Sequence, residues 1–332
     1  MKRILLIQTG GTIAMRIQPD ELTEIDPKTS RDIVRKAVPE LSRLAEIETV
    51  NLFTEDSSNL NPEHWELIAK EIKKNYDYYD GFVILHGTDT MAYTASALSF
   101  CLNQLGKPVV MTGSQVPLMS IRSDARRNLI NSIEVATLNF NEVVICFNDK
   151  VYRGNRSTKM SIGDFDAFTS PNFDPLAEIG LTIETNFVPA FVNKPFDITP
   201  SFNNDLFVLK IFPGLHLGYL DGLLESSPRV IIIEGYGSGN FPIEGDYSLT
   251  PFIKKCINHD IMLVMRSQAD YDAVNLAKYP SGRLAAEHGV MGAADMTTEA
   301  AVTKMMYLLG NYNDHETIKN LFSISIAGEL TG

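Results

Sequence analysis

Cysteine is scarce in this chain: Cys101, Cys146 and Cys256 are the only three among 332 residues, and no pair has CxxC spacing. An odd, scattered set argues against a disulfide framework and against a cysteine-based zinc site. Each of the three reads as a small buried hydrophobe. Positive charge is also short, with 29 Lys and Arg against 41 Asp and Glu and a formal charge of −12. A surface this acidic repels phosphate backbones and anionic lipid, so neither nucleic acid nor a membrane surface is expected as a partner. Long apolar runs are missing too. No stretch approaches the roughly 20 apolar residues of a membrane span. The run Ile4-Leu5-Leu6-Ile7 near the N-terminus is too short for the hydrophobic part of a signal peptide. Cytoplasmic residence is the simplest expectation.

Cofactor signatures are absent as well. There is no GxxxxGK[ST] loop and no HExxH, and Gly235-Tyr236-Gly237-Ser238-Gly239 lacks full GxGxxG spacing, so it reads as a turn. Asp164-Phe165-Asp166 and Glu21–Asp26 read as solvated loops. No metal and no cofactor is expected.

The composition that remains is globular: 44% apolar and 21% charged residues, over a length that suits two domains. In the first half, Arg3–Gln8, Thr49–Phe53, Gly81–His86, Pro108–Thr112 and Glu142–Phe147 are short Ile-, Val- and Leu-rich runs that read as buried strands. Between them, Pro62–Asn75, Met91–Leu105 and Asp124–Leu138 have helical apolar spacing, with Pro62 suited to a first turn and Asn61 to an N-cap. Such alternation predicts an α/β fold with a mostly parallel sheet covered by helices on both faces. The pattern decays between Asn186 and Asp205. Beyond it, Leu206–Phe212, Arg229–Glu234 and Ile261–Met265 read as strands, and Thr250–Asn258, Thr298–Leu309 and His315–Phe322 as helices. The expected organisation is a larger N-terminal domain over 1–190, a linker over 191–205 and a smaller α/β domain over 206–332.

Ligands of an open parallel sheet bind beyond the carboxyl ends of its strands. Two of those ends carry glycine beside hydroxyl residues: Thr9-Gly10-Gly11-Thr12 after the first strand and His86-Gly87-Thr88-Asp89-Thr90 after the third. Glycine lets backbone amides approach a ligand closely, and the threonines present hydroxyls at the top of the sheet. Helix capping accounts for either turn taken alone. Two of them in one sheet, with Asp56-Ser57-Ser58 at the end of the second strand, point to one site. A hydroxyl nucleophile needs a base. His86, the last residue of its strand, reads as structural. Lys159, in Arg153-Gly154-Asn155-Arg156-Ser157-Thr158-Lys159, is either a base desolvated in a cleft or a solvated loop charge.

Taken together, Thr9–Ala14, Asp56–Ser58 with Pro62-Glu63-His64-Trp65, Gly81–Ala97, Thr112-Gly113-Ser114-Gln115, Tyr152–Lys159 and Ala293-Ala294-Asp295-Met296-Thr297 resemble the bacterial type I (cytoplasmic) L-asparaginases. The resemblance runs in order through the whole chain. It implies hydrolysis of L-asparagine to aspartate and ammonia, with Thr12 as nucleophile and Thr88, Asp89 and Lys159 as a triad. It also implies that Asp56, Ser57 and Ser58 hold the α-carboxylate and α-amine, that Asp89 meets the α-ammonium and that main chain near Ser114 meets the side-chain amide. No metal and no cofactor is implied, and a homodimer or homotetramer is. Glutaminase-asparaginases, other amidases such as tRNA-dependent amidotransferase subunits, and a non-catalytic amino-acid-binding protein of the same fold are the alternatives. Two departures stand out. The family's tyrosine after the nucleophile is missing, for Ile13 to Leu52 contains none and the matching position is about Leu22. In the segments matching a second, regulatory asparagine site, Glu234-Gly235-Tyr236 and Ser267-Gln268-Ala269, Glu234 replaces an expected cation. Asparagine-driven cooperativity is therefore not expected.

Overall fold

The computed structural model describes residues 1–11, 38–186 and 194–331, and the backbone alone of 15–18 and 21–24. Its contacts divide the chain into two compact units, Met1–Ser201 and Phe202–Gly332.

The first unit is built on one sheet. Five strands, β1 (Arg3–Gly10), β2 (Glu46–Glu55), β3 (Gly81–Leu85), β4 (Val109–Thr112) and β5 (Val143–Phe147), are parallel in the order β5-β4-β3-β1-β2. Every residue of β1 from Ile4 onward is buried, as are all residues of β3, β4 and β5. Continuous apolar runs of this kind belong to strands covered on both faces. Three further strands, β6 (Lys150–Arg153), β7 (Ala177–Ile179) and β8 (Ile183–Thr185), extend the β5 edge with antiparallel pairing. They were not expected, because three- and four-residue segments of mixed polarity carry too little periodicity to be read.

The helices α1 (Pro62–Asn75), α2 (Met91–Cys101) and α3 (Ala125–Ala136) fall where the apolar spacing put them. Asn61 caps α1: its side chain accepts from Glu63 N at 3.0 Å, and His64 Nδ1 accepts from Asn61 N at 3.2 Å. Trp65, Ile68, Ala69 and Ile72 are the buried face, the i, i+3, i+4, i+7 stripe of an amphipathic helix. The expected span of α2 to Leu105 is too long. Leu102 turns extended and pairs, with Asn103, against Asp197–Ile198, and Gln104 enters the left-handed region at φ 55°. Glu21–Glu24, read as a solvated loop, is a strand paired antiparallel with Met15–Gln18, Leu22 standing opposite Ile17. Thr12 and residues 25–37 lie outside the described residues.

The second unit is a four-stranded parallel sheet in chain order: β9 (Leu206–Lys210), β10 (Val230–Gly235), β11 (Met262–Ser267) and β12 (Met291–Gly292). Besides the expected helices α5 (Thr250–Asn258), α7 (Thr298–Asn311) and α8 (His315–Phe322), it contains two short ones, α4 (Asp221–Ser226) and α6 (Pro280–Glu287). The six residues of α4 are too few to repeat an apolar face, and α6 carries one large apolar residue, Leu284.

A fully buried ion pair sits inside this unit. Lys304 of α7 and Glu329 are paired with both side chains fully buried. Lys304 Nζ also donates to Phe322 O at 2.9 Å and Ile324 O at 2.6 Å, while Glu329 accepts from Ile326 N and Ala327 N. Burial lowers the lysine's pKa and the adjacent carboxylate opposes that. Breaking one side of such a pair strands a charge in the core. Glu329→Leu is therefore expected to destabilise the second unit by about 3–5 kcal/mol; denaturant unfolding measures it, and an unchanged midpoint would show that the pair is not ionised.

Candidate active site

The strand order reverses between β1 and β3, so the crevice of this sheet lies beyond their carboxyl ends. Three turns meet there. Gly10 and Gly11 leave β1 with φ of 111° and 85°. A Cβ on Gly11 would lie 2.5 Å from Gly87 N, and one on Gly87 would lie 2.6 Å from Ser57 Oγ. Backbone packs on backbone at Gly11 and on the Ser57 side chain at Gly87, too close in both places for a Cβ without a shift. Thr90 Oγ1 donates to Ser57 O at 2.7 Å and ties the turn after β3 to the turn after β2. Thr9 Oγ1 donates to Leu85 O at 2.8 Å and ties β1 to β3.

A cleft of about 320 Å³ opens above these turns, lined by Gly11, Asp56, Ser57, Gly87, Thr88, Asp89, Gln115, Lys159 and Ile162. Lys159 is the link between its walls. It lies on the two-residue strand Thr158–Lys159, which pairs with Phe168–Thr169, and β6 and a 3-10 turn separate it from β5. Its Nζ donates to Thr88 Oγ1 at 2.7 Å and Asp89 Oδ1 at 2.6 Å. The lysine side chain is 14% exposed and the Asp89 side chain 63%. The cation is thus enclosed and its counterion stands at the mouth. The reading of Lys159 as a free loop charge is replaced by that of a half-buried bridge.

Asp56 carries the second carboxylate of the cleft. Ser58 Oγ donates to its Oδ1 at 2.6 Å and Ser58 N at 2.8 Å, and these hydrogen bonds, the hydroxyl's first, hold its carboxyl below the usual range. Ser58 itself is exposed and acts on Asp56, whereas Ser57 faces the cleft. Ser114 is buried, and among the described residues its hydroxyl has no partner and it does not line the cleft. Its neighbour Gln115 does. Nothing in the sequence singled out Gln115 beyond its place in the strand-end motif, because an uncharged amide shows no chemistry until its orientation is seen.

The chain matches the family "Asparaginase, N-terminal" over residues 3–190 and the family "Glutaminase/Asparaginase C-terminal domain" over residues 205–322. The chain belongs to the asparaginase family. It is 40% identical to L-asparaginase 1 of Escherichia coli (strain K12), covering 99% of this chain and 98% of that protein. It is 34% identical to a glutamyl-tRNA(Gln) amidotransferase subunit of Pyrococcus abyssi, covering 100% of this chain and 77% of that protein. Among solved structures it is similar to L-asparaginase I from Vibrio cholerae, with a TM-score of 0.90 at 36% identity and 99% of both chains covered.

Within this asparaginase fold, His86 is structural. It is buried, and a chain of hydrogen bonds fixes it from both sides. Trp65 Nε1 donates to Thr94 Oγ1 at 3.1 Å, the Thr94 hydroxyl meets His86 Nε2 at 2.9 Å, and His86 Nδ1 meets Gly87 O at 2.7 Å. A carbonyl only accepts, so Nδ1 carries the proton and Nε2 accepts from Thr94. The ring holds the Gly87 turn in place in its neutral form.

The second unit of the asparaginase chain carries its own polar cluster. Glu234, at the end of β10, accepts from Thr298 Oγ1 at 2.9 Å and lies 3.5 Å from Arg266 Nη1. Arg266 Nη2 is 3.1 Å from Asp270 Oδ1. The guanidinium of this cluster is therefore already matched by two carboxylates of its own unit.

Burial pushes the pKa of His86 from 6.5 down to about 4. The unfolded ring takes a proton below about 6.5 that the folded ring refuses, so this contribution to stability is whole above pH 6.5 and is lost as pH falls towards 4. The loss amounts to up to about 3 kcal/mol. NMR titration is expected to show the His86 ring neutral, with the proton on Nδ1, down to about pH 4; a midpoint near 6.5 would overturn this placement.

Proposed function

We propose that this chain hydrolyses the side-chain amide of L-asparagine to L-aspartate and ammonia. The observation that carries the reading is Lys159, enclosed between the Thr88 hydroxyl and the Asp89 carboxylate in a cleft that also presents Asp56 and Ser57. In the first half-reaction the Thr12 hydroxyl adds to the amide carbon, the carbon–nitrogen bond breaks and ammonia leaves with the hydroxyl's proton. In the second, water cleaves the resulting aspartyl ester and restores Thr12. Thr88 and Lys159 form the proton path, and Asp89 holds Lys159 and meets the substrate's α-ammonium. Asp56, Ser57 and Ser58 bind the α-amino acid end, and main chain near Ser114, where Gln115 lines the cleft, receives the side-chain amide. Backbone N–H groups of the Gly–Thr turns stabilise the oxyanion. With no tyrosine in the sequence from Ile13 to Leu52, this proton path takes a larger share of the activation. The chemistry as written uses neither metal nor cofactor.

Residues 1–190 carry the nucleophile and the triad, and 206–332 form the smaller domain. The protein acts in the cytoplasm; three free, buried thiols support a reducing setting, and no helix among the described residues is long and apolar enough to cross a membrane. It assembles as a homodimer or homotetramer. Ile121 and Ile162 support assembly, since in the single chain they are 105% and 91% exposed.

A second reading follows from the Pyrococcus relative, part of an amidotransferase, and would make the substrate an amide other than free asparagine. The acidic surface of the present chain disfavours tRNA. Steady-state ammonia release separates the readings. Purified protein is expected to release ammonia from L-asparagine, and Thr12→Ala, Thr88→Ala and Lys159→Met each to lower kcat by about 10²–10⁴-fold while the fold persists. Binding of asparagine without ammonia release would leave a binding protein instead.

The same rate curve tests regulation. Glu234 and Asp270 already neutralise Arg266, so the second unit offers little to an added carboxylate. The dependence of rate on asparagine concentration is expected to be hyperbolic, and a clearly sigmoidal curve would contradict it.

A further inference from the structure

Gln115 makes contacts that the proposed chemistry does not use. Its backbone is anchored first: Gln115 N and Val116 N donate to Asp124 at 3.0 and 3.1 Å, and Asn128 Nδ2 donates to the same carboxylate at 3.0 Å. The side chain then spans two elements. Gln115 Nε2 donates to Ser161 O at 3.3 Å and Asp164 O at 3.1 Å, and Oε1 accepts from Thr88 Oγ1 at 3.1 Å.

These partners fix the amide without ambiguity. Two carbonyls can only accept, so the end facing them is the nitrogen and the end facing Thr88 is the oxygen. An amide oxygen also only accepts, so the Thr88 proton points at Gln115. The remaining side of Thr88 Oγ1 receives the N–H of Lys159 at 2.7 Å. One hydroxyl thus sits between a fixed acceptor and a fixed donor, with one direction open to it.

We propose that Gln115 is a positioning residue: it sets the direction of the Thr88 hydroxyl and ties that direction to the 161–164 segment, whose Ile162 lines the cleft. The proposal rests on the reading of Thr88 and Lys159 as the proton path. The only motion it requires is rotation of the O–H about the Cβ–Oγ bond. The proton that Thr88 gives to Gln115 in the resting cleft must turn before Thr88 can pass it on, and the amide restores the starting direction after each cycle.

The test compares wild type, Gln115→Met and Gln115→Glu. Methionine removes both functions of the amide at similar length, and glutamate keeps an acceptor towards Thr88 while losing the donors to 161–164. Gln115→Met is expected to lower kcat by about 10–100-fold, the scale of a misaligned reacting group, with KM changed less than about threefold. Gln115→Glu is expected to recover part of that loss. Circular dichroism and thermal melting check that each variant is folded. Rates within twofold of wild type in both variants, or a fall only in proportion to the folded fraction, overturn the proposal. So does a glutamate variant as slow as the methionine variant. Thr88→Ala is run alongside: if it keeps the wild-type rate, the reading of the site itself has failed, whereas an inactive Thr88→Ala beside normal Gln115 variants overturns the role of Gln115 alone.

Discussion

The approach of three backbone turns at the reversal of strand order is the constraint on which the site depends. Gly11 lies against Gly87, and Gly87 against Ser57, at distances that exclude any Cβ. A parallel sheet delivers the carboxyl ends of β1, β2 and β3 side by side, but it does not bring their turns into contact. Glycine does that, and the hydroxyls of Thr9 and Thr90 then lock the turns through carbonyls of the neighbouring element. With the turns fixed, Thr88 and Asp89 have one place to stand, and Lys159 can reach both.

The neutral ring of His86 is part of the same constraint. The Gly87 carbonyl, placed at a turn beneath a polar cleft, needs a donor from below. The donor comes through a relay that starts at Trp65 on α1 and passes through Thr94 on α2. Two helices of the same layer are thereby coupled to one carbonyl of the site. Burial keeps the imidazole from charging, so the relay runs in one direction only.

Much of the fold was legible because buried parallel strands are written as continuous apolar runs. β1, β3, β4 and β5 are such runs. The antiparallel edge and α4 were not, since segments of that length repeat no pattern, and α6 was not because Leu284 is its one large apolar residue. The early end of α2 depends on pairing with Asp197–Ile198, a contact far away in sequence. The site divides in the same way. The glycine–hydroxyl turns advertised themselves through their residue types. Lys159 is 71 residues from Thr88, and spacing alone left it as either base or loop charge. Family resemblance pointed to its partners, and the geometry brings all three together. Gln115 escaped notice because its role lies in which way an amide faces.

The charges lining the cleft bear on what it holds. Asp56 and Asp89 bring two carboxylates and Lys159 brings one cation, and hydrogen bonds from Ser58 favour the ionised form of Asp56. Among the described residues the lining is thus one negative charge in excess. An α-ammonium group offsets the excess locally, while the α-carboxylate of the same substrate must meet donors of its own. Neutral, directional donors at the cleft include backbone N–H groups of the glycine turns and the Ser57 hydroxyl. A zwitterion with its ammonium towards Asp89 and Asp56 satisfies both demands, whereas a simple amide without the amino acid end leaves a carboxylate uncompensated. On the proposed reading, recognition of the amino acid end and placement of the amide above Thr88 follow from pairing each substrate charge locally, since a zwitterion leaves the net charge of the cleft unchanged.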